Sequence, residues 1–400
     1  MTILVASNVA EAGLKILRDA GHTVIDKPAL EGDSLVEALK DEAPQVLVVR
    51  STRVKARMLD ASPNLGLIVR AGAGYDTIDV DGASKRGIFV ANCPGKNSVA
   101  VAELTMGLIL SLDRSIPDNV AEARAGHWNK KAYAQAEGVK GRTLGIVGVG
   151  NIGEAVIERA KAFEMDVIAW SRSLTQEQAK RMGIGWRSDP LVVAEDADIV
   201  SLHVASTPDT RNLADRAFFK SMRDDALFIN TTRAAVVDED ALKWAMDNKN
   251  VRAAIDVMSD EPAQKEADFK HPLADHPNLY MTHHIGASTQ QAQDATAEEA
   301  ARVIMTFDET GEVPNCVNLA QQTPATYQLT VRHEDKVGVL ASVLDEMRRG
   351  GWNIQEMENR IFEGAQAASA SIRFDGDMDE AIIEKMRALD TVFAVSVIEL

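Results

Sequence analysis

Short apolar runs alternate with amphipathic helical patterns along the first three quarters of the chain. The first series comprises apolar runs at 3–6, 46–49 and 67–69 and a helical pattern at 12–20. A second series has apolar runs at 143–147, 166–170, 198–202, 226–230, 253–257 and 279–282. Because strands alternating with helices favour parallel sheets covered by helices, the pattern predicts two α/β domains.

The pattern changes after residue 285. A long helix is predicted from Ser288, as its N-cap, to about Thr310, where Gly311 and Pro314 end it. From Tyr327 the order is a strand (327–332), a helix (337–349), two strands (354–362 and 366–374), a helix (378–389) and a strand (392–399). This βαββαβ order predicts a ferredoxin-like domain at 326–400, after a linker at 316–325.

A glycine-rich turn is the strongest local motif. Gly148, Gly150 and Gly153, with Asn151 and Ile152 between them, follow an apolar strand and precede a predicted helix. The glycines permit a tight turn and close approach of a pyrophosphate, and the helix N-terminus supplies free N–H donors. The motif in this context predicts dinucleotide binding.

The end of the next predicted strand bears on the choice of coenzyme. NAD enzymes place an acidic residue there for the ribose hydroxyls, whereas this chain has Ser171 and Arg172. The missing carboxylate and the added cation suit a 2'-phosphate, although Arg172 could equally stack on adenine. NAD is the predicted cofactor, and NADP is the alternative.

Three separated residues have the chemistry that a nicotinamide-dependent oxidation of an alcohol requires. Arg233, Glu261 and His284 each follow the carboxyl end of a predicted strand, where open α/β sheets bind ligands. Such a reaction needs a proton acceptor, a group that orients it, and a cation for a carboxylate. We expect the three side chains to form one site.

These motifs resemble those of the D-isomer-specific 2-hydroxyacid dehydrogenases over residues 1–315. The matching stretches are 70–76, 97–98 with 102–104, 145–153, 230–238, 256–262 and 284–289. The resemblance implies a Rossmann cofactor domain (98–284) inserted in a flavodoxin-like substrate domain (1–97 and 285–315). It also implies that His284 exchanges the hydroxyl proton, that Glu261 orients the imidazole of His284, and that Arg233 holds the substrate carboxylate. The chain departs from the family's Arg-Gly-Gly at Arg233-Ala234-Ala235.

The resemblance also implies further contacts. Those to the cofactor are Val204, Thr231, Thr232, Arg233, Asp256, His284, Gly286 and Ala287. Those to the substrate are Arg50, Ser51, Arg53, Ala73, Gly74, Lys130 and Lys131, with a contribution of the lysines across a dimer interface as one option. A phosphate could be bound by Arg50, Ser51 and Arg53. The loop that contains them resembles that of phosphoglycerate dehydrogenases.

The last 75 or so residues resemble an ACT domain, an amino-acid-sensing module. His333, Asp335, Gly338 and Asn353 match the positions that contact an effector in such domains. The resemblance implies an amino-acid effector, with serine as the first candidate, and a homodimer or homotetramer.

Composition narrows the class of protein. The 400 residues, 46% of them hydrophobic, suffice for two or three domains, and a net charge of −17 argues against nucleic acid and acidic membranes as partners. Two cysteines predict neither a disulfide framework nor a metal site. The first residues enter a strand directly and no apolar stretch is long enough for a bilayer, so a cytoplasmic protein without a membrane span is expected.

The sequence therefore favours NAD(P)-dependent oxidation of 3-phospho-D-glycerate to 3-phosphohydroxypyruvate, the entry to serine synthesis. A glyoxylate or hydroxypyruvate reductase is the second interpretation, supported by Ser171 and Arg172. A corepressor-like binding protein on the same fold is the third, and the ACT-like segment argues against it.

Overall fold

The computed structural model describes residues 1–262, 266–320 and 322–400. These residues form two compact units, Met1–Asn318 and Leu319–Leu400.

The first unit begins with a five-stranded parallel sheet. Its strands are β1 (Thr2–Val5), β2 (Thr23–Asp26), β3 (Val46–Val49), β4 (Leu67–Arg70) and β5 (Phe89–Asn92), and its helices are α1 (Glu11–Asp19), α2 (Gly32–Glu42), α3 (Ala56–Leu59) and α4 (Val80–Ser84). The spatial order β2-β1-β3-β4-β5 is that of flavodoxin-like folds. Strands β3 and β4 are buried almost throughout, as expected for a sheet covered on both faces.

The second sheet has seven parallel strands. They are β6 (Thr143–Val147), β7 (Asp166–Trp170), β8 (Gly185–Trp186), β9 (Ile199–Leu202), β10 (Leu227–Asn230), β11 (Arg252–Ile255) and β12 (Leu279–Met281). The helices are α5 (Ser98–Arg114), α6 (Ile116–Arg124), α7 (Asn151–Ala162), α8 (Gln176–Met182), α9 (Pro190–Asp196), α10 (Arg216–Ser221) and α11 (Glu239–Lys249). The order β8-β7-β6-β9-β10-β11-β12 reverses at β6 and β9, as in Rossmann folds, and places a crevice at the carboxyl ends of those strands.

Helix α12 (Gln290–Thr310) returns the chain to the first sheet, where it packs on α1 and β4. Its N-cap is Thr289, whose hydroxyl accepts the Ala292 N–H, and the predicted Ser288 cap is wrong by one residue. The chain stays with this unit beyond the predicted start of the linker, because Val317 N–H donates to Val90 O at 2.8 Å and Asn318 Oδ1 accepts the Val90 N–H at 2.8 Å.

The second unit has the predicted βαββαβ order. Its elements are β13 (Tyr327–Glu334), α13 (Val339–Arg349), β14 (Asn353–Ile361), β15 (Ala367–Asp375), α14 (Glu380–Arg387) and β16 (Val392–Glu399). The strands form an antiparallel sheet in the order β14-β15-β13-β16. The predicted fold class is confirmed for both units. Among the helices that the structure describes, none is both long and apolar enough to span a bilayer.

Candidate active site

His284 and Glu261 are in direct contact at the carboxyl ends of two neighbouring strands. Nδ1 of His284 lies 2.7 Å from Oε2 of Glu261, and the other carboxylate oxygen accepts the Met258 N–H at 2.8 Å. Because an ionised carboxylate only accepts hydrogen bonds, Nδ1 carries a hydrogen and Nε2 is left for a ligand. His284 has φ of 51°, a left-handed conformation that non-glycine residues adopt mainly where the surroundings impose it.

The electrostatic environment keeps Glu261 ionised. Burial raises the pKa of the Glu261 carboxyl, but the hydrogen bonds from His284 and Met258 and the charge of Arg233 together hold this pKa below its usual value. A carboxylate at this position fixes the orientation of the imidazole and stabilises a positive charge that develops on it.

Arg233 approaches the same site from β10. Its Nη1 donates to Thr232 O at 2.9 Å, and its Nη2 lies 3.4 Å from Oδ1 of Asp76. A Cβ atom at Gly74 would overlap the end of the Arg233 side chain, so the guanidinium lies directly against the 70–76 loop. The guanidinium is thus placed beside the backbone of Gly74.

Asp256 organises the loop that carries His284. Its buried carboxylate accepts hydrogen bonds from the Thr282 hydroxyl (2.6 Å), Ile285 N–H (2.9 Å) and Gly286 N–H (2.7 Å). These contacts fix the backbone on both sides of His284. Asp256 therefore supports the loop that carries His284.

A cavity of about 260 Å³ lies beside His284. Its lining includes four of the predicted residues, Arg50, Ser51, His284 and Ala287. It also includes Arg70, Asn97 and Gln293, which sequence analysis did not assign to the site. Arg70 is the last residue of β4, and a position at the carboxyl end of a strand is the signal that could have identified it.

The arginines give the cavity an excess of positive charge. Burial, together with the nearby charges of Arg233 and Arg50, lowers the pKa of Arg70 to about 10 against the opposing effect of Asp76. The Nε of Arg70 is buried without a hydrogen-bond partner. Arg50 and Arg70 line the cavity, and Arg233 is close enough to act electrostatically on Arg70. These three cations outnumber the nearby carboxylates of Asp76 and Glu261, an arrangement that favours an anionic ligand.

The glycine-rich turn has the geometry that a dinucleotide requires. Gly148 has φ of 105° and passes so close to the His203 backbone that a Cβ would overlap it. A Cβ at Gly153 would overlap Gly148 O, whereas a Cβ at Gly150 would meet open space. Gly153 thus lets α7 pack on its strand, and the space at Gly150 lies beside the free N–H groups of the α7 N-terminus.

The other predicted cofactor residues flank this turn. Arg172 is exposed, and its Nη1 lies 4.0 Å from Oδ2 of Asp209 in the loop after β9. Val204 lies against Gly148, and Thr231 and Thr232 are buried at the end of β10. These groups border the crevice between the carboxyl ends of β6 and β9.

Five predicted substrate residues do not line the cavity. Ala73 and Gly74 belong to the 70–76 loop, where Gly74 lies beside Arg233. Arg53 is exposed and does not line the cavity, and Lys130 and Lys131 are exposed in the segment after α6. This chain alone does not bring them to His284. Among the residues that the structure describes, no cluster of His, Cys, Asp and Glu could hold a metal ion.

The predicted effector residues of the second unit differ in exposure. His333 is buried, with Nδ1 at 2.7 Å from Glu334 O and Nε2 at 3.2 Å from Asn359 Oδ1. Gly338, the N-cap of α13, and Asn353 are exposed, and Asp335 is half-buried. Both ring nitrogens of His333 therefore contact groups of the second unit itself.

Comparison with known proteins gives consistent similarities. The family model described as "D-isomer specific 2-hydroxyacid dehydrogenase, NAD binding domain" matches residues 106–286. A D-3-phosphoglycerate dehydrogenase of Methanocaldococcus jannaschii is 37% identical over 325 residues, covering 80% of this chain and 60% of that protein. A D-3-phosphoglycerate dehydrogenase of Haemophilus influenzae is 37% identical over 342 residues, covering 83% of this chain and 82% of that protein.

The fold is also similar to a solved structure. The NAD⁺-bound 3-phosphoglycerate dehydrogenase of Entamoeba histolytica superposes with a TM-score of 0.66 at 26% identity, covering 80% of this chain and 99% of that one. The chain spans 60% and 64% of the length of the Methanocaldococcus jannaschii and Archaeoglobus fulgidus relatives.

Proposed function

The chain belongs to the D-isomer-specific 2-hydroxyacid dehydrogenase family, and from that premise we propose that it oxidises 3-phospho-D-glycerate to 3-phosphohydroxypyruvate with NAD. The observation that carries the proposal is the contact of His284 with Glu261 beside a cavity that Arg50 and Arg70 line.

The substrate has two anionic groups, and the site has cations for both. Arg233, beside the Gly74 backbone, binds the carboxylate and polarises the adjacent C2–O bond. Arg50 and Arg70, which line the cavity beside His284, bind the phosphate. A substrate without the phosphate would leave these two guanidinium groups without an anion.

His284 performs the proton transfer. Its Nε2 accepts the C2 hydroxyl proton, and the carboxylate of Glu261 stabilises the imidazolium through Nδ1. The nicotinamide, when bound, would supply the acceptor for the C2 hydride that conversion to the 2-oxo acid requires. The proton on His284 then passes to solvent, so that the site returns to its starting state.

The residues of the glycine-rich turn fit the coenzyme. Gly150 and the α7 N-terminus would hold the pyrophosphate, and Ser171 and Arg172 would lie near the adenosine ribose. The carboxylate of Asp209 beside Arg172 offsets the cation that would favour a 2'-phosphate. We therefore propose NAD over NADP.

For the second unit we propose binding of a small amino acid, with serine as the first candidate, and assembly into a homodimer or homotetramer. The ferredoxin-like order of its elements and the exposed Gly338 and Asn353 support this role.

An assay of substrates against coenzymes tests the proposal. Purified protein is given 3-phosphoglycerate, phosphohydroxypyruvate, D-glycerate, hydroxypyruvate and glyoxylate with NAD(H) and NADP(H), and absorbance at 340 nm is followed. We expect the highest kcat/KM for the phosphorylated pair with NAD(H). Preference for glyoxylate or hydroxypyruvate with NADPH would favour the second candidate, which Ser171 and Arg172 support, and binding of coenzyme without turnover on any acid would favour a binding protein.

A further inference from the structure

Glu239, the first residue of α11, contacts the loop that carries Glu261. Its Oε1 accepts the Ser259 N–H at 2.9 Å, and its Oε2 accepts the Ser259 hydroxyl at 2.6 Å. Ser259 lies two residues before Glu261 and next to Met258, whose N–H donates to Glu261. The carboxylate of Glu239 therefore binds the residue next to Met258, whose N–H orients Glu261.

The same carboxylate also contacts His271, beyond Glu261 in the chain. Nε2 of His271 lies 3.1 Å from Oε2 of Glu239, and the His271 side chain is only 1% exposed. The Leu273 N–H donates to Nδ1 of His271 at 3.3 Å, so Nε2 carries the hydrogen and donates to Glu239. Glu239 thus joins points on both sides of Glu261.

Helix α11 gives Glu239 a fixed base. Its buried residues, Leu242 and Met246 among them, pack in the core of the second sheet. Its N-terminus is capped by the neighbouring Asp238, which accepts the Ala241 N–H at 3.0 Å. Because Asp238 caps the helix, the Glu239 side chain is left to hold the loop.

We propose that Glu239 is a positioning residue that holds the Glu261 loop in register with His284, an inference that rests on the proposed function. Without the three bonds of Glu239, the Ser259 backbone can move and carry Glu261 away from Nδ1 of His284. A displacement of about 1 Å at a catalytic group can cost on the order of 100-fold in rate. The substrate and coenzyme contacts lie on other elements, so affinity should change little.

The test compares Glu239→Ala with Asp240→Asn, a matched control. Asp240 is the next residue in the first turn of α11 and is exposed, so its replacement removes the same charge from the same helix end without touching Ser259 or His271. We expect Glu239→Ala to lower kcat by about 10- to 100-fold with KM for both substrates within about threefold. In Asp240→Asn, kcat and KM should both stay within about twofold of the wild-type values.

A conservative variant adds a second comparison. In Glu239→Gln the amide oxygen can still accept the Ser259 N–H, but the amide nitrogen faces the N–H of His271 and cannot accept it. Activity between those of wild type and Glu239→Ala is expected, and this variant replaces the alanine variant if the latter does not fold. Equal kcat in wild type, Glu239→Ala and Glu239→Gln, or an equal loss in Asp240→Asn, would overturn the proposal.

Hydrogen–deuterium exchange separates this inference from the proposed function. A peptide covering 255–262 should exchange faster in Glu239→Ala than in wild type or Asp240→Asn, whether or not the assayed acids are substrates. Unchanged exchange in that peptide would contradict the positioning role. Absence of turnover in wild type with every acid would contradict only the proposed function.

Discussion

Replacement of Glu261 by Gln should disable the proton acceptor while leaving the loop in place. The glutamine oxygen can accept the Met258 N–H that Oε1 now accepts at 2.8 Å. The amide nitrogen then faces Nδ1 of His284, which is 2.7 Å from Oε2 in the wild-type protein. Since the amide nitrogen is a donor, Nδ1 must become the acceptor and the hydrogen moves to Nε2.

The magnitude follows from this change of tautomer. An imidazole with its hydrogen on Nε2 cannot take the substrate hydroxyl proton, so general base catalysis is lost. Such catalysis contributes about 100- to 10,000-fold, and 100-fold corresponds to about 2.7 kcal/mol of transition-state stabilisation. We expect kcat/KM for 3-phosphoglycerate oxidation to fall by at least 100-fold, with the coenzyme dissociation constant nearly unchanged.

The assay is steady-state NADH formation, with coenzyme binding measured separately by fluorescence titration. Asp260→Asn is the matched control, because Asp260 is exposed, adjacent in sequence and carries the same charge. A Glu261→Gln variant with kcat/KM within threefold of wild type would refute the reasoning, as would an equal loss in Asp260→Asn.

Further outcomes follow from other parts of the first unit. Arg70→Gln should raise KM for 3-phosphoglycerate by about 10- to 100-fold, as expected for loss of a charge-assisted hydrogen bond. KM for D-glycerate, which has no phosphate, should stay within about threefold of the wild-type value. Equal changes in KM for both substrates would contradict a phosphate contact. Gly150→Ala should keep the wild-type melting temperature, because the added Cβ meets open space. The same variant should weaken coenzyme binding, measured by calorimetry, by at least tenfold. Unchanged binding would mean that the pyrophosphate binds elsewhere. Glu299→Gln should lower the free energy of unfolding in urea by about 1–2 kcal/mol at pH 7. The reason is that the hydrogen bond from Arg302 outweighs the effect of burial and holds the pKa of the Glu299 carboxyl at about 2. This contribution is present above the unfolded-state pKa of about 4.3 and is lost as pH falls through about 2, so the difference between wild type and variant should narrow on acidification; a constant difference would contradict it.

The sequence predicted the parts of the site that follow from strand order. Arg233, Glu261 and His284 each follow a strand of one parallel sheet, and parallel strands present their carboxyl ends at one edge. The glycine-rich turn was predictable for a similar reason, because its spacing is read directly against the strand before it and the helix after it.

Other features depend on contacts that the sequence pattern does not contain. Arg70 acquires its role from a cavity formed with residues more than 200 positions later, such as His284 and Gln293. The support of the Glu261 loop by Glu239 likewise joins side chains from different elements. His333 was predicted at an effector site from its motif alone. Its burial and the contact of its Nε2 with Asn359 of β14 depend on strands that are brought together by the fold, and the motif does not contain this information.

The central claim is that His284 is the acid/base group of a 2-hydroxyacid dehydrogenase. The most direct measurement is turnover of 3-phosphoglycerate with NAD by wild type and His284→Asn, with coenzyme binding measured on the same preparations. The account predicts turnover by the wild type, a loss of about 100-fold or more in the variant, and coenzyme affinity within about twofold. Near-normal turnover in His284→Asn would contradict it.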